Sequence, residues 1–259
     1  MESGDTFWRD LALLDWQVEL GADEAISETP IDRYALDPAP VKPAPKAAKP
    51  GPVKMPEADP VGEAKAAAAG AADLPALAEA MQAYEHCEIK KGARKFVFCD
   101  GMPGARVMIV GEAPGRDEDQ IGRPFVGQAG QLLDQMLAAI GMDRTAEDPM
   151  KAVYIVNVLP WRPPANRTPE PAEIAMMLPF LERHIALAAP DVVVLMGNTP
   201  CQALLGRAGI TRIRGQWTEV LGRPTLPMFH PAYLLRQTMA KLEAWADLLN
   251  LKSKLKELA

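Results

Sequence analysis

From about residue 100 the hydrophobic positions fall into a repeating order. Four short apolar runs, the first three rich in β-branched residues, Arg106–Val110, Val153–Val158, Asp191–Met196 and Leu226–Phe229, have the length of buried strands. Between and after them apolar residues recur at helical spacing over Gly127–Ile140, Pro171–Leu187, Asn198–Leu205 and from Ala240 to the C-terminus. Strands alternating with helices predict an α/β fold. The expected architecture is a three-layer α/β/α sandwich around a four-stranded parallel sheet with right-handed crossovers. Ligands of such sheets sit beyond the carboxyl ends of the strands, so the segments that follow each strand are the ones to search for chemistry.

Ahead of this region the pattern changes twice. Asp5–Ile26 is one amphipathic helical pattern, with Phe7, Leu11, Leu14, Trp16 and Val18 preceding Gly21. It either folds back onto the core or docks another protein. Pro30–Pro60 holds nine prolines interleaved with Ala and Lys. That composition buries too little apolar surface to offset chain entropy and predicts a disordered, semi-extended linker. Alanines from Ala66 begin the next helix, expected to run to about Glu85. The expected organisation is an N-terminal helix over 1–27, a Pro/Ala-rich linker over 28–74 and the α/β domain over 75–259.

Composition narrows the class. A chain of 259 residues, 48% hydrophobic and 24% charged, has room for one α/β domain plus extra segments, and it is neither collagen, coiled coil nor wholly disordered. No uncharged apolar run approaches ~18 residues, so no membrane partner is expected. The acidic start lacks a basic-then-apolar signal pattern, which predicts a cytoplasmic chain. The net charge of −6 misleads about partners: residues 1–75 hold 7 Lys+Arg against 14 Asp+Glu, and the remainder 21 against 20. Basic residues of the α/β region are therefore free to cluster on one face. Cys87, Cys99 and Cys201 form no disulfide framework and no CxxC pair. No pattern demands an oligomer, and a monomer is expected.

Three strand ends carry candidate chemistry. After the first strand, residues 111–130 contain five glycines and four carboxylates and then open a helix. Glycine allows close backbone approach, and clustered carboxylates repel unless solvated or used. Neither GxxxxGK[ST] nor GxGxxG is present. After the second strand, Asn157 offers a donor and an acceptor suited to an amide-like base edge, or else caps a turn. Arg162 and Arg167 flank a proline-stiffened loop, as phosphate contacts or as two solvated arginines. After the fourth strand, His230 sits on a turn beside a proline, while His86 and His184 have helical or polar contexts expected at the surface. Leu234-Leu235-Arg236 reads either as an apolar wedge beside a cation or as leucines packing a helix.

Together GEAPGRDED with GRPFVGQAG, NVLPWRPPANRTP and HPAYLLR resemble the family-four enzymes of the uracil-DNA glycosylase superfamily, over about residues 78–250 and in the same order and spacing. The resemblance implies hydrolysis of the N-glycosidic bond of uracil in DNA after base flipping, leaving an abasic site. Relatives of wider scope (hypoxanthine, xanthine) and non-catalytic uracil-DNA-binding modules are the alternatives. It implies that Phe125 stacks on the extruded uracil, that Asn157 bonds its Watson–Crick edge, and that Ala113 adds a backbone contact. Glu118 would stand near C5, and His230 would face O2. Glu112 would be the acidic residue of the first motif, and Asn166 would lie near the attacking water. Leu234 or Leu235 would fill the gap in the duplex, with Arg162, Arg167 and Arg236 on the DNA. The family also normally carries a four-iron four-sulfur cluster on four cysteines. Here the first pair reads Cys87-Glu88-Ile89-Lys90, the third position is Trp161 and the fourth falls near Met177 or Leu178. One thiolate cannot hold a cluster that needs about four, so no cofactor is expected, and apolar packing of Trp161 and Met177 should stand in its place.

Overall fold

The computed structural model describes residues 59–258 and, of the chain before them, Leu11 and Leu13, both helical and exposed. The expected N-terminal amphipathic helix otherwise lies outside the described residues, as does the proline-rich stretch before residue 59.

Six strands make one sheet: β1 (Asp100–Gly101), β2 (Val107–Gly111), β3 (Val153–Asn157), β4 (Val192–Met196), β5 (Thr218–Val220) and β6 (Arg223–Met228), in the order β1-β3-β2-β4-β6-β5. The four inner strands are mutually parallel, as expected. Every residue of β2, β3 and β4 is buried, which is why they read as unbroken apolar runs. The sheet exceeds the expected four strands because β1 and β5 pair antiparallel at its two edges. At two and three residues, with no fully buried face, they leave no periodic trace; short edge strands also limit unwanted pairing.

The helices are α1 (Pro60–Gly70), α2 (Leu74–Ala83), α3 (Arg116–Ile121), α4 (Gln128–Ile140), α5 (Pro171–Ala188), α6 (Asn198–Leu205), α7 (Ile210–Ile213), α8 (Pro231–Arg236) and α9 (Lys241–Glu257). In α4 the residues Leu133, Met136, Leu137 and Ile140 are buried at the spacing of one helical face. Helix α1 corrects the extent of the linker expected over 28–74. Asp59 caps it by accepting a hydrogen bond from the Gly62 amide at 2.9 Å, and the Tyr84 hydroxyl donates to the Pro60 carbonyl at 2.8 Å. Ala64 and Ala68, one turn apart, are buried where α1 packs on α5. Small side chains allow that close approach but give the sequence no amphipathic signal.

His184 is a second correction. Expected at the surface, it is only 2% exposed, because it follows Phe180 and Leu181 at the spacing of the inner face of α5. Its Nε2 lies 2.8 Å from the Tyr154 hydroxyl, its ring stacks on Phe98, and burial lowers its pKa to about 3. No helix among the described residues is long and apolar enough to cross a membrane.

Candidate active site

Strand ends converge because the inner strands run in one direction and in register: Gly111, the last residue of β2, pairs with Asn157, the last of β3. Beyond them lies a cavity of about 560 Å³. Glu112, Ala113, Glu118 and Phe125 line it from the segment after β2, Asn157, Asn166 and Arg167 from β3 and its loop, and His230 and Arg236 from the segment after β6. The residues expected to contact or transform the base are gathered there.

Phe125 sits at the centre in an uncommon backbone state, with φ of +54°. Two glycines make its position possible. A Cβ on Gly130 would lie 1.8 Å from the Phe125 carbonyl oxygen. A Cβ on Gly111 would lie 2.5 Å from Phe125 Cε2 and 2.4 Å from Asn157 Oδ1. The bare backbone of Gly111 thus lets the aromatic ring and the amide meet. The ring also stacks with the His230 imidazole, centroids 5.3 Å apart and planes 25° from parallel.

His230 caps α8. Its Nδ1 accepts a hydrogen bond from the Ala232 amide at 3.1 Å, which assigns the proton of the neutral ring to Nε2. Burial, helped by the Arg236 charge and opposed by the Glu118 carboxylate, lowers its pKa to about 4, so the ring is neutral at neutral pH. Among the described residues no enclosed side-chain polar atom lacks a partner; the Asn157 amide, which bonds no protein group there, opens onto the cavity it lines.

Three of the four carboxylates of the first motif are held separately. Glu118 Oε1 accepts from the Val126 and Gly127 amides, both at 2.9 Å, and Oε2 from Gly115 at 3.1 Å. Buried Asp119 accepts from the amides of Arg94 at 2.8 Å and Lys95 at 3.2 Å. The Thr199 hydroxyl, in the first turn of α6, donates to Glu112. Thr199 was not singled out in the sequence, nor was Arg144, which bonds the carbonyls of Pro124 and Phe125 at 3.0 and 2.9 Å. Both act on residues distant in sequence, and no local motif marks them.

The expected DNA contacts divide. Leu234 is 1% exposed and belongs to the core, which corrects its assignment as a DNA-facing wedge; Leu235, the next residue of α8, is 42% exposed. Arg162 does not line the cavity: its Nε donates to Asn166 Oδ1 at 2.7 Å. Arg167 lines the cavity while its guanidinium is paired with Glu173. Asn166 is exposed at the rim, with φ of +55°.

The positions that would hold an iron–sulfur cluster do not fit one. Cys87, Trp161 and Met177 all lie in the core at 3% exposure or less, and Cys87 is the one cysteine among these positions, where a cluster needs about four thiolates. Lys90, at the second position, donates to the Gln82 and Tyr84 carbonyls and sits 6.0 Å from the Trp161 ring centre. Among the described residues no group of three or more His, Cys, Asp or Glu is placed to hold a metal ion.

The profile of the Uracil DNA glycosylase superfamily matches residues 98–249. A type-4 uracil-DNA glycosylase of Thermotoga maritima is 41% identical over 60% of this chain and 80% of its own length. Those of Archaeoglobus fulgidus and Sulfurisphaera tokodaii are 39% and 37% identical, each over 62% of this chain and over 82% and 76% of their own lengths. The matched region contains all three strand-end segments that build the cavity, and the chain belongs to the uracil-DNA glycosylase superfamily, within its family four.

Proposed function

We propose that this protein is a monofunctional uracil-DNA glycosylase of DNA repair, hydrolysing the bond between uracil and deoxyribose and leaving an abasic site. The observation that carries this reading is the convergence of Phe125, Asn157 and His230 on one cavity from three separate strand ends.

A base inside a duplex is out of reach and is extruded at a cost of a few kcal/mol. Stacking on Phe125 returns ~1–3 kcal/mol. With the ring against Gly111, a stacked pyrimidine presents its edge to the neighbouring Asn157 amide, whose donor and acceptor match uracil and mismatch cytosine. Glu118, fixed by three amides, shapes the pocket at the C5 side. As the glycosidic bond breaks, negative charge gathers on the departing uracil and positive charge on the sugar. Neutral His230 donates its Nε2 hydrogen bond to uracil O2, and one such pre-positioned donor is worth ~3 kcal/mol of barrier. Glu112, oriented by Thr199, faces the sugar side, stabilising the cationic sugar and aligning water, with Asn166 at the rim beside the water's path. Arg236 at the cavity mouth meets a phosphate, and Leu235 projects towards the gap left in the stack.

A uracil-containing oligonucleotide incubated with the full chain and then treated with alkali tests the reading. Cleavage at the uracil is expected; intact single- and double-stranded substrates would overturn it.

A further inference from the structure

We infer that Arg144 is a positioning residue for the aromatic platform, holding Phe125 in the backbone conformation that stacking on the base requires. The inference rests on the glycosylase reading above and adds a residue to it.

Arg144 lies in the turn between α4 and β3, and its side chain is only 9% exposed. Its guanidinium is engaged on every side. Nε donates to Asp134 Oδ1 at 2.7 Å, and Nη1 to Asp100 Oδ2 at 3.0 Å. The same Nη1 donates to the Pro124 carbonyl at 3.0 Å, and Nη2 to the Phe125 carbonyl at 2.9 Å. Two carboxylates, one on α4 and one on β1, therefore orient a planar fork whose other face meets two successive carbonyls. On the far side of Phe125 the next two amides are held by Glu118.

Phe125 has a left-handed φ that a side chain with a Cβ adopts only when its surroundings impose it. With carbonyls clamped by Arg144 and amides by Glu118, neither flanking peptide can flip, and the ring stays against Gly111, Asn157 and His230. A lysine keeps the charge but has one point of attachment and cannot match two carbonyls and two carboxylates together.

The test is a double-mutant cycle on the full chain: wild type, Arg144→Lys, Phe125→Ala and the double variant, with kcat and KM measured on a uracil-containing oligonucleotide and melting followed by circular dichroism. Arg144→Lys should lower kcat/KM about tenfold or more, the scale that lost base stacking commands, chiefly through KM. In the Phe125→Ala background it should cost less than about twofold, because the residue it serves is gone. A merely structural arginine would give losses that multiply, and that result would overturn the inference. If the Arg144 variants fail to fold, Asp134→Ala decides instead, since its carboxylate is half exposed. A KM increase that vanishes in the Phe125→Ala background supports the inference, and no increase or a multiplying one overturns it. A wild type that releases no uracil would sink the glycosylase reading itself, whereas an active wild type with a multiplying cycle sinks only the role of Arg144.

Discussion

The imidazole of His230 is fixed in one tautomer by the Ala232 amide and kept neutral by burial, and both facts have measurable consequences. His230→Ala should lower kcat by ~10²-fold or more with little loss of DNA affinity, as for other oxyanion donors. Because its pKa in the free protein is lowered to about 4, kcat/KM should show no histidine-dependent change between pH 8 and 5 and should change only near pH 4; a midpoint near 6.5 would contradict the assignment. His184 carries the matching stability effect. Its folded pKa of about 3 lies below the unfolded value of 6.5, so the unfolded chain binds the proton first as pH falls. Stability contributed by neutral His184 is full above about pH 6.5 and is lost progressively towards pH 3, by ~5 kcal/mol in all. Melting temperature against pH checks this, and His184→Gln should flatten the profile. Asn157→Asp should weaken uracil recognition and admit cytosine, read as release from matched oligonucleotides. Gly111→Ala should abolish uracil release with the fold retained by circular dichroism, since the added methyl collides with both ring and amide. Phe125, Asn157 and His230 were legible because each is a chemically distinctive residue just beyond a strand. Arg144 and Thr199 were not: an arginine serving carbonyls and a threonine serving a carboxylate look, in sequence, like any polar turn or helix start.

Elements were legible in proportion to how much apolar surface they bury periodically. The inner strands and α4, α5 and α6 match their expected spans to within a few residues, because burial stamps each with its own period. Helix α1 buries alanines, so only its second half was legible, as the start of a helix expected from Ala66 to about Glu85; β1 and β5 bury little beyond Val220, and α3 lies inside a loop dense in glycine and carboxylate, so these three carry no readable pattern. Helix α8 is the instructive case. Leu234 and Leu235 are adjacent and chemically identical, and only the phase of a six-residue helix decides that one is core and the other exposed. Leu234→Ala should therefore destabilise the protein by ~2–5 kcal/mol in chemical denaturation. Leu235→Ala should leave melting unchanged and reduce uracil release from duplex DNA more than from single strands, as expected of a side chain that holds open a gap in the stack. Equal effects of the two substitutions on stability would contradict the placement of α8.

For the molecule as a whole, the domain begins earlier than its sequence pattern declares. A chain starting near Leu74 lacks α1 and exposes the face of α5 that α1 covers, so it should melt at a lower temperature than one starting just before Asp59. Iron analysis addresses the other whole-molecule property, the residues that replace cluster ligands: the purified protein should contain no stoichiometric iron and no broad visible absorbance. The most direct measurement remains uracil release from single- and double-stranded oligonucleotides by the full chain beside its His230→Ala variant. The wild type should yield an alkali-labile abasic site at the uracil and the variant at least ~10²-fold less per unit time. Absence of product from both substrates, or equal rates for the two proteins, would contradict the account.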